Sequence, residues 1–509
     1  METIMASTFT RRNFLRISSM SLAGAYLASC SVGGGGPSEA EQALRAAFSQ
    51  PINDLDPHGP SSVDESTLLA GRLIYDTLVR RDGDRLVPSV ATAWEQSEPT
   101  TWVLTLRDDV TFHDGTPLTA RDVKASLERV RDAGTAQSAL WTSVTDVEVT
   151  GDHELRLVTD EPLGTVPVNL TLLFILPADK MNADGFFRKP VGSGPFAVES
   201  FTPSDVLELV ATEHWSGKPA LPRATLPYLP ETSSQITALR TGDLSVLWPV
   251  PPDQVRELEG ADGVRLETVP SYAYYFTWFN CGREPFTDPR VRRAMWRSVD
   301  IATIVKNLFG DGAERMTAPI PSTVFGHAEQ EPYAYDPDAA RRDLAEAGFG
   351  DGFRTSLMWF SGTGPLADGL AQAMISDWAK VGITVEPQNI EKAEWLQRLN
   401  AKDFDLELQI NTVTTGDADF TLGRLYDSAA DRMGYANPEL DTILREAHSV
   451  SDQDRRGELY ADACRIIWDD AVGIFPAALI STYGLRRSVK GFEPVPSNQP
   501  DLRGVTLET

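Results

Sequence analysis

The side chains able to do chemistry in this 509-residue chain are scattered. The six histidines are His58, His113, His153, His214, His327 and His448, and no two sit at a metal-ligand spacing such as i, i+4. No His-Glu-x-x-His occurs, nor a Gly-rich phosphate loop ending in Gly-Lys-Ser/Thr. Gly192-Ser193-Gly194-Pro195 reads as a turn, not as the Gly-x-Ser-x-Gly of a nucleophile elbow. Asp417-Ala418-Asp419 lacks the Gly and the distal Glu of a calcium-binding loop. Carboxylate pairs such as Asp108-Asp109 and Asp469-Asp470 are expected as solvated surface or helix caps in so acidic a chain. No cofactor and no metal site are expected. The missing motifs lower the expectation of an enzyme without excluding one, because catalytic triads scatter in sequence.

The better-supplied chemistry is that of a ligand-binding wall, which needs aromatic and apolar surface plus a few aimed polar groups. Tyr272 to Asn280 (Tyr-Ala-Tyr-Tyr-Phe-Thr-Trp-Phe-Asn) is the most aromatic stretch and its near-continuous apolar content fits a buried strand. Alternate faces of a strand differ in surroundings, so about half of these side chains are core, and Tyr274, Thr277 and Trp278 are the candidates to face ligand. Met358-Trp-Phe-Ser-Gly362 ends a strand in a Gly-containing loop; ligands sit at the carboxyl ends of strands in open α/β sheets, which favours Trp359, Ser361 and Gly362. Trp248, beside Pro249 after a short strand, is a candidate to cap a cleft. Trp395 falls on a helix and reads as core.

These residues need elements to hold them. Asp288-Pro289, Asp336-Pro337 and Asn437-Pro438 each place an N-cap before a proline at the first helical position. Thr119 with Asp122 three residues on is a variant capping box. Trp102 to Leu106 and Glu154 to Leu157 alternate as strands should, and a turn is expected at His113-Asp114-Gly115. Helix and strand signals interleave from about residue 190 onward, whereas residues 85–190 are richer in strands and turns, the mark of an inserted subdomain. The length calls for two lobes or more.

Composition narrows the partners. Hydrophobic residues make up 41% and charged residues 23%, as in folded proteins. Lys+Arg 46 against Asp+Glu 73 gives a formal charge of −27, which disfavours nucleic acid as a partner. Three cysteines are too few for a disulfide framework, and sequence leaves the pairing of Cys281 and Cys464 open. The N-terminus reads as an address. Arg11-Arg12 precedes an apolar run from Ile17 to Ser29, shorter than the ~20 residues of a membrane span. The pair resembles the twin-arginine export motif. Leu27-Ala28-Ser29-Cys30 resembles the lipobox at which lipoprotein precursors are diacylated on Cys and cut just before it. Residues 1–29 are thus expected to be a signal peptide, Cys30 the lipidation site and residues 30–40 a Gly/Ser/Pro-rich tether. Two acyl chains anchor a protein stably where one does not.

Over nearly the whole mature sequence the chain resembles the extracellular solute-binding proteins of ABC importers, family 5, the oligopeptide, dipeptide and nickel-complex group. The resemblance rests on the order and spacing of several stretches. They are Asn53 to Pro57, Ile74 to Val79, Ala91 to Glu95, Trp102 through Val123, Val191 to Phe196, His214-Trp215, Ala238 to Asp243, Pro285 to Ala294, Leu344 to Phe349 and Lys490 to Phe492. It implies an α/β, two-lobe, periplasmic-binding-protein-like (type II) fold with an inserted subdomain in the first lobe. Lobe I is expected at residues 41–277 and 486–509, with the insertion at about 85–190, and lobe II at residues 278–485. The implied function is capture of a peptide or peptide-like solute between the lobes and its delivery to an ABC permease with its ATPase subunits. The implied protein is a lipid-anchored monomer on the extracytoplasmic face of a Gram-positive-type membrane, or periplasmic. A sugar, opine or metal chelate is the alternative solute, and a tethered extracellular hydrolase the alternative class. Peptide-binding members place a Trp, and three residues later an Asp that pairs with the ligand's α-amino group, after a second-lobe strand. Here those positions carry Asn411 and Thr414, with Asp417 the nearest carboxylate, so Asn411, Thr412, Thr414 and Asp417 are the site candidates and α-amino anchoring is in question.

Overall fold

The computed structural model describes residues 43–83 and 85–508. The twin-arginine stretch, Cys30 and the tether lie outside these residues. Lobe I opens with β1 (Ala43–Phe48) and helix α1 (Glu65–Ile74), followed by a hairpin of β2 (Val79–Asp82) and β3 (Arg85–Pro88). In the inserted subdomain β4 (Ala91–Glu98), β5 (Thr101–Leu106), β6 (Val144–Gly151) and β7 (Glu154–Thr159) form a sheet in the order β4-β5-β7-β6. The expected alternation is there: Trp102, Leu104 and Leu106 of β5 and Leu155 and Leu157 of β7 are buried with Val123 and Leu127 of helix α2 (Ala120–Asp132). The Thr119 backbone N–H donates to Asp122 at 2.9 Å, closing the predicted box.

The chain returns through β8 (Phe196–Thr202), β9 (Val206–Ala211), β10 (Arg223–Pro227) and β11 (Val246–Trp248). β12 (Val264–Phe279) then crosses into lobe II, which holds β13 (Ala313–Arg315), β14 (Phe353–Phe360), β15 (Ile383–Ile390) and β16 (Leu406–Thr412), and β17 (Gly473–Arg486) crosses back. One sheet runs through both lobes in the order β15-β14-β16-β12-β17-β11-β1-β10-β9-β8. Helices start where the prolines announced them: Asp288, Asp336 and Asn437 accept backbone N–H bonds from the first turn.

β12 and β17 are the hinge. Val264–Pro270 pairs with the lobe I half of β17, and Ala273–Phe279 pairs with β16 in lobe II. The β12–β17 register breaks between Pro270 and Tyr274, where proline has no N–H to offer the ladder. The partners on either side of this break are Ile480 and Ala478 of β17. The aromatic run marks the interior of lobe II, and its core extends from Tyr272 to Ala478. Away from the hinge, two hydrogen bonds among the described residues join the lobes. The Gly164 N–H donates to the His448 carbonyl at 2.8 Å, and the Thr412 hydroxyl donates to Glu65 at 3.3 Å. A Cβ on Gly164 would stand 2.0 Å from the Val450 carbonyl oxygen, so only glycine fits there.

Candidate functional site

A cavity of about 280 Å³ lies between the lobes beside the hinge. Lobe I supplies the end of α1 and the segment after it (Arg72, Tyr75, Asp76, Thr77), Arg80 and Arg81 from β2, and His214. The C-terminal segment adds Val495, Gln499, Asp501 and Arg503. Lobe II closes the space with Tyr272, Thr323, Thr414 and Thr415. Tyr75, Phe174, Pro195 and Pro496 give it apolar floor, the mixture a small-molecule site requires.

The polar groups divide into satisfied and unsatisfied. Asp76 faces His214, whose Nε2 is 3.1 Å from Oδ1, and both side chains are buried. Asp501 takes a fork from Arg503, with Nε at 3.0 Å from Oδ1 and 2.8 Å from Oδ2. Burial opposes the Asp501 charge, but the Arg503 hydrogen bonds prevail and hold its pKa below the usual carboxylate range. Arg72 donates to the Gln499 side-chain oxygen at 2.6 Å, and burial, with Arg80 and Arg81 adding repulsion, pushes its pKa down to about 10. Arg80 lies 5.8 Å from the centre of the Trp215 ring and reaches Asp501 only at 3.9 Å. The Nε atoms of Arg80 and Arg81 are buried without an acceptor. The loop after β16 comes down over this group: a Cβ on Gly416 would lie 2.7 Å from the Tyr272 hydroxyl and 3.2 Å from Arg81 Nε. Gly416 adopts φ +67°, which glycine allows at no steric cost.

Of the sequence candidates, Thr414 lines this cavity and the others do not. Tyr274, Thr277 and Trp278 are buried in lobe II, because β12 lies between β16 and β17 with both faces covered. The Tyr274 hydroxyl accepts from Asn411 at 3.3 Å, and Trp278 Nε1 donates to the Tyr426 hydroxyl at 3.3 Å. Trp248 is not a cap on the cleft: it sits fully buried in lobe I, stacks on Tyr483 and donates to the Asn498 carbonyl at 2.9 Å. Trp359 is buried, with Nε1 donating to Asp368 at 2.7 Å, and Ser361 and Gly362 are exposed beyond that strand end. Asn411 also donates to Thr421 at 3.1 Å and accepts from Arg424 at 3.4 Å, so its amide is taken up inside lobe II. Thr412 is engaged by Glu65 at the lobe seam. Asp417 does not take over amine anchoring, because both of its oxygens are bound by Arg456 in the lobe II interior, at 2.8 and 3.1 Å. Cys30 lies outside the described residues.

Sequence reasoning missed the arginines. Arg80-Arg81 directly follows the stretch Ile74 to Val79 that carried the resemblance, yet two adjacent arginines on a strand look like surface. Among the described residues no group of three or more His, Cys, Asp or Glu is placed to hold a metal ion. The other two cysteines are not disulfide-bonded.

A two-lobe α/β clamshell with its cavity at the hinge defines a solute-binding protein. Residues 85–432 match the bacterial extracellular solute-binding proteins, family 5, and the chain belongs to that family. It is 26% identical over 473 residues to the glutathione-binding protein GsiB of Pectobacterium atrosepticum, covering 88% of this chain and 91% of the relative. It is 27% identical over 444 residues to the probable D,D-dipeptide-binding periplasmic protein DdpA of Escherichia coli, covering 82% and 85%. The structure superposes with a TM-score of 0.79 on the DppA periplasmic binding protein of Helicobacter pylori in complex with the peptide STSA, at 25% identity over 92% of this chain and 98% of that one. HbpA2 of Haemophilus parasuis shares the fold with a TM-score of 0.82 at 22% identity, over 92% and 100% of the two chains.

Proposed function

We propose that this protein is the substrate-binding lipoprotein of an ABC importer, one that captures a peptide or peptide-like solute in the interlobe cavity and hands it to the permease and its ATPase subunits. Cys30 carries the lipid after twin-arginine export, and the monomeric protein works on the extracytoplasmic face of the membrane. The observation carrying this reading is a cavity walled by both lobes next to two continuous hinge strands. A bound solute touches both lobes only when they are together, so binding shifts the population toward the closed form without any covalent step. The relatives named for glutathione and D,D-dipeptides and the STSA complex support a peptide-like solute. A volume of about 280 Å³ favours a solute of two or three residues over a longer peptide, since it lies just below the ~300–1,000 Å³ of small-molecule sites.

The test is titration with a di- and tripeptide library, read by calorimetry and tryptophan fluorescence, with mass spectrometry of the recovered solute. Saturable binding in the micromolar range, about −8 kcal/mol, and an unaltered solute are expected. No binding, or a converted solute, overturns the reading.

A further inference from the structure

We infer that the solute is an acidic one, carrying at least two carboxylates, and that Arg72, Arg80 and Arg81 receive them. This rests on the solute-capture reading and narrows it.

In a chain of formal charge −27, the cavity gathers four arginines and only two carboxylates among the described residues. Both carboxylates are engaged: Asp76 by His214 and Asp501 by Arg503. Arg72 is met by the neutral amide of Gln499, Arg80 stands 3.9 Å from an Asp501 already forked to another arginine, and Arg81 has no hydrogen-bond or ion-pair partner among the described residues. Arg80 and Arg81 are half-buried with their Nε atoms wholly enclosed, and a guanidinium cannot shed its proton to escape the cost of that burial. The arginines also repel one another, as the effect of Arg80 and Arg81 on Arg72 records. Lobe II brings no relief when it closes over them. It contributes the Thr414 and Thr415 hydroxyls and the Gly416 backbone, while Asp417 is turned into the interior toward Arg456. The missing negative charge must arrive with the solute. Carboxylates match a guanidinium fork bidentately, and a water-poor cleft strengthens such bonds. The same arrangement gives a free α-amino group no unengaged carboxylate among the described lining residues.

The test measures dissociation constants by calorimetry for the dipeptides Glu-Glu, N-acetyl-Glu-Glu, Ala-Ala and Lys-Lys and for the non-peptide propane-1,2,3-tricarboxylate. Each is measured on the parent and on Arg80→Gln, Arg81→Gln and Arg81→Lys, with melting curves to show that the variants fold. Glu-Glu is expected to bind at least tenfold more tightly than Ala-Ala and Lys-Lys, and acetylation to change its affinity less than threefold. The Gln variants are expected to narrow the Glu-Glu over Ala-Ala ratio at least fivefold, a ratio that a general loss of fold leaves unchanged, while Arg81→Lys keeps part of it. Ala-Ala or Lys-Lys binding as tightly as Glu-Glu overturns this inference and leaves the peptide reading standing. Binding of the tricarboxylate alone, lost in the variants, upholds this inference and overturns the peptide reading. A ratio unchanged in both Gln variants, or no binding by any acidic probe, overturns the inference.

Discussion

Two arginine sites lie on either side of the loop Val413 to Asp417, and they are opposites. Behind it, Arg456 is buried and complete. It binds both oxygens of Asp417, donates to the Ala447 carbonyl at 3.2 Å and to the Tyr460 hydroxyl at 3.3 Å, and lies 5.3 Å from the Phe325 ring centre. Burial alone would ease its proton off, and the Asp417 charge reverses that and holds the guanidinium more firmly charged than usual. In front of the loop, Arg80 and Arg81 have buried Nε atoms with nothing to donate to. The protein thus builds a full arginine shell in the lobe II interior and leaves the shell open at the interlobe cavity. A third buried charge shows why the open shell is not simply a defect. Glu407 is fully buried in lobe II and, among the described residues, has no cation beside it and accepts hydrogen bonds from the side chains of Trp395 and Gln409 alone. Burial pushes its pKa up to about 8, against hydrogen bonds that pull it down. A carboxylate can escape burial by taking a proton, whereas an arginine cannot lose one.

The contrast breaks most visibly at Arg456. Arg456→Met strands the Asp417 carboxylate in the interior, and about 3–5 kcal/mol of unfolding free energy is expected to vanish in a urea titration. Next comes Glu407→Gln. The raised folded pKa means that the Glu407 contribution to stability is complete below its ordinary value near 4.5 and is lost as pH rises through about 8. The variant should therefore melt with the parent at pH 5 and gain on the order of 2 kcal/mol over it at pH 9, seen as a higher Tm. Thr414→Asp puts a carboxylate among the open arginines. It is expected to weaken Glu-Glu binding about tenfold, roughly 1.4 kcal/mol, and to improve binding of free-amine dipeptides with neutral side chains. An unchanged pair of affinities would place recognition elsewhere. The smallest effect is on the stability of Arg81→Gln, expected within about 0.5 kcal/mol of the parent because its Nε makes no bond to lose. A loss as large as that of Arg456→Met would make Arg81 a structural residue and erase the difference between the two sites.

Local rules were legible in the sequence. The caps at Asp288, Asp336, Asn437 and Thr119 depend on neighbours one to three residues away, and each formed as read. The aromatic stretch on β12 was recognisable as a buried strand, but not which way it faced. Strand alternation separates two faces only when one of them is open, and here both are packed, so Tyr274, Thr277 and Trp278 went to the core. The cavity itself was out of reach. Arg72 meets Gln499 across 427 positions, and Arg80 meets Asp501 across a similar span, so no spacing rule joins them. Trp248 misled for the same reason: its neighbours Tyr483 and Phe492 come from the far end of the chain. The resemblance placed the loop at Thr414 without telling which side of it Asp417 would take.

Gly164 touches lobe II through backbone alone, its amide on the His448 carbonyl and no room for so much as a methyl group before Val450. That clasp is blind to the identity of the guest, since no side chain at the contact can sense it. In the reading proposed above, selection of the solute and fastening of the lobes are therefore written in different places. On that reading, exchanging the arginines of the chamber would admit another cargo while this contact goes on fastening as before, and a bulky residue at 164 would hold the lobes apart for every cargo alike.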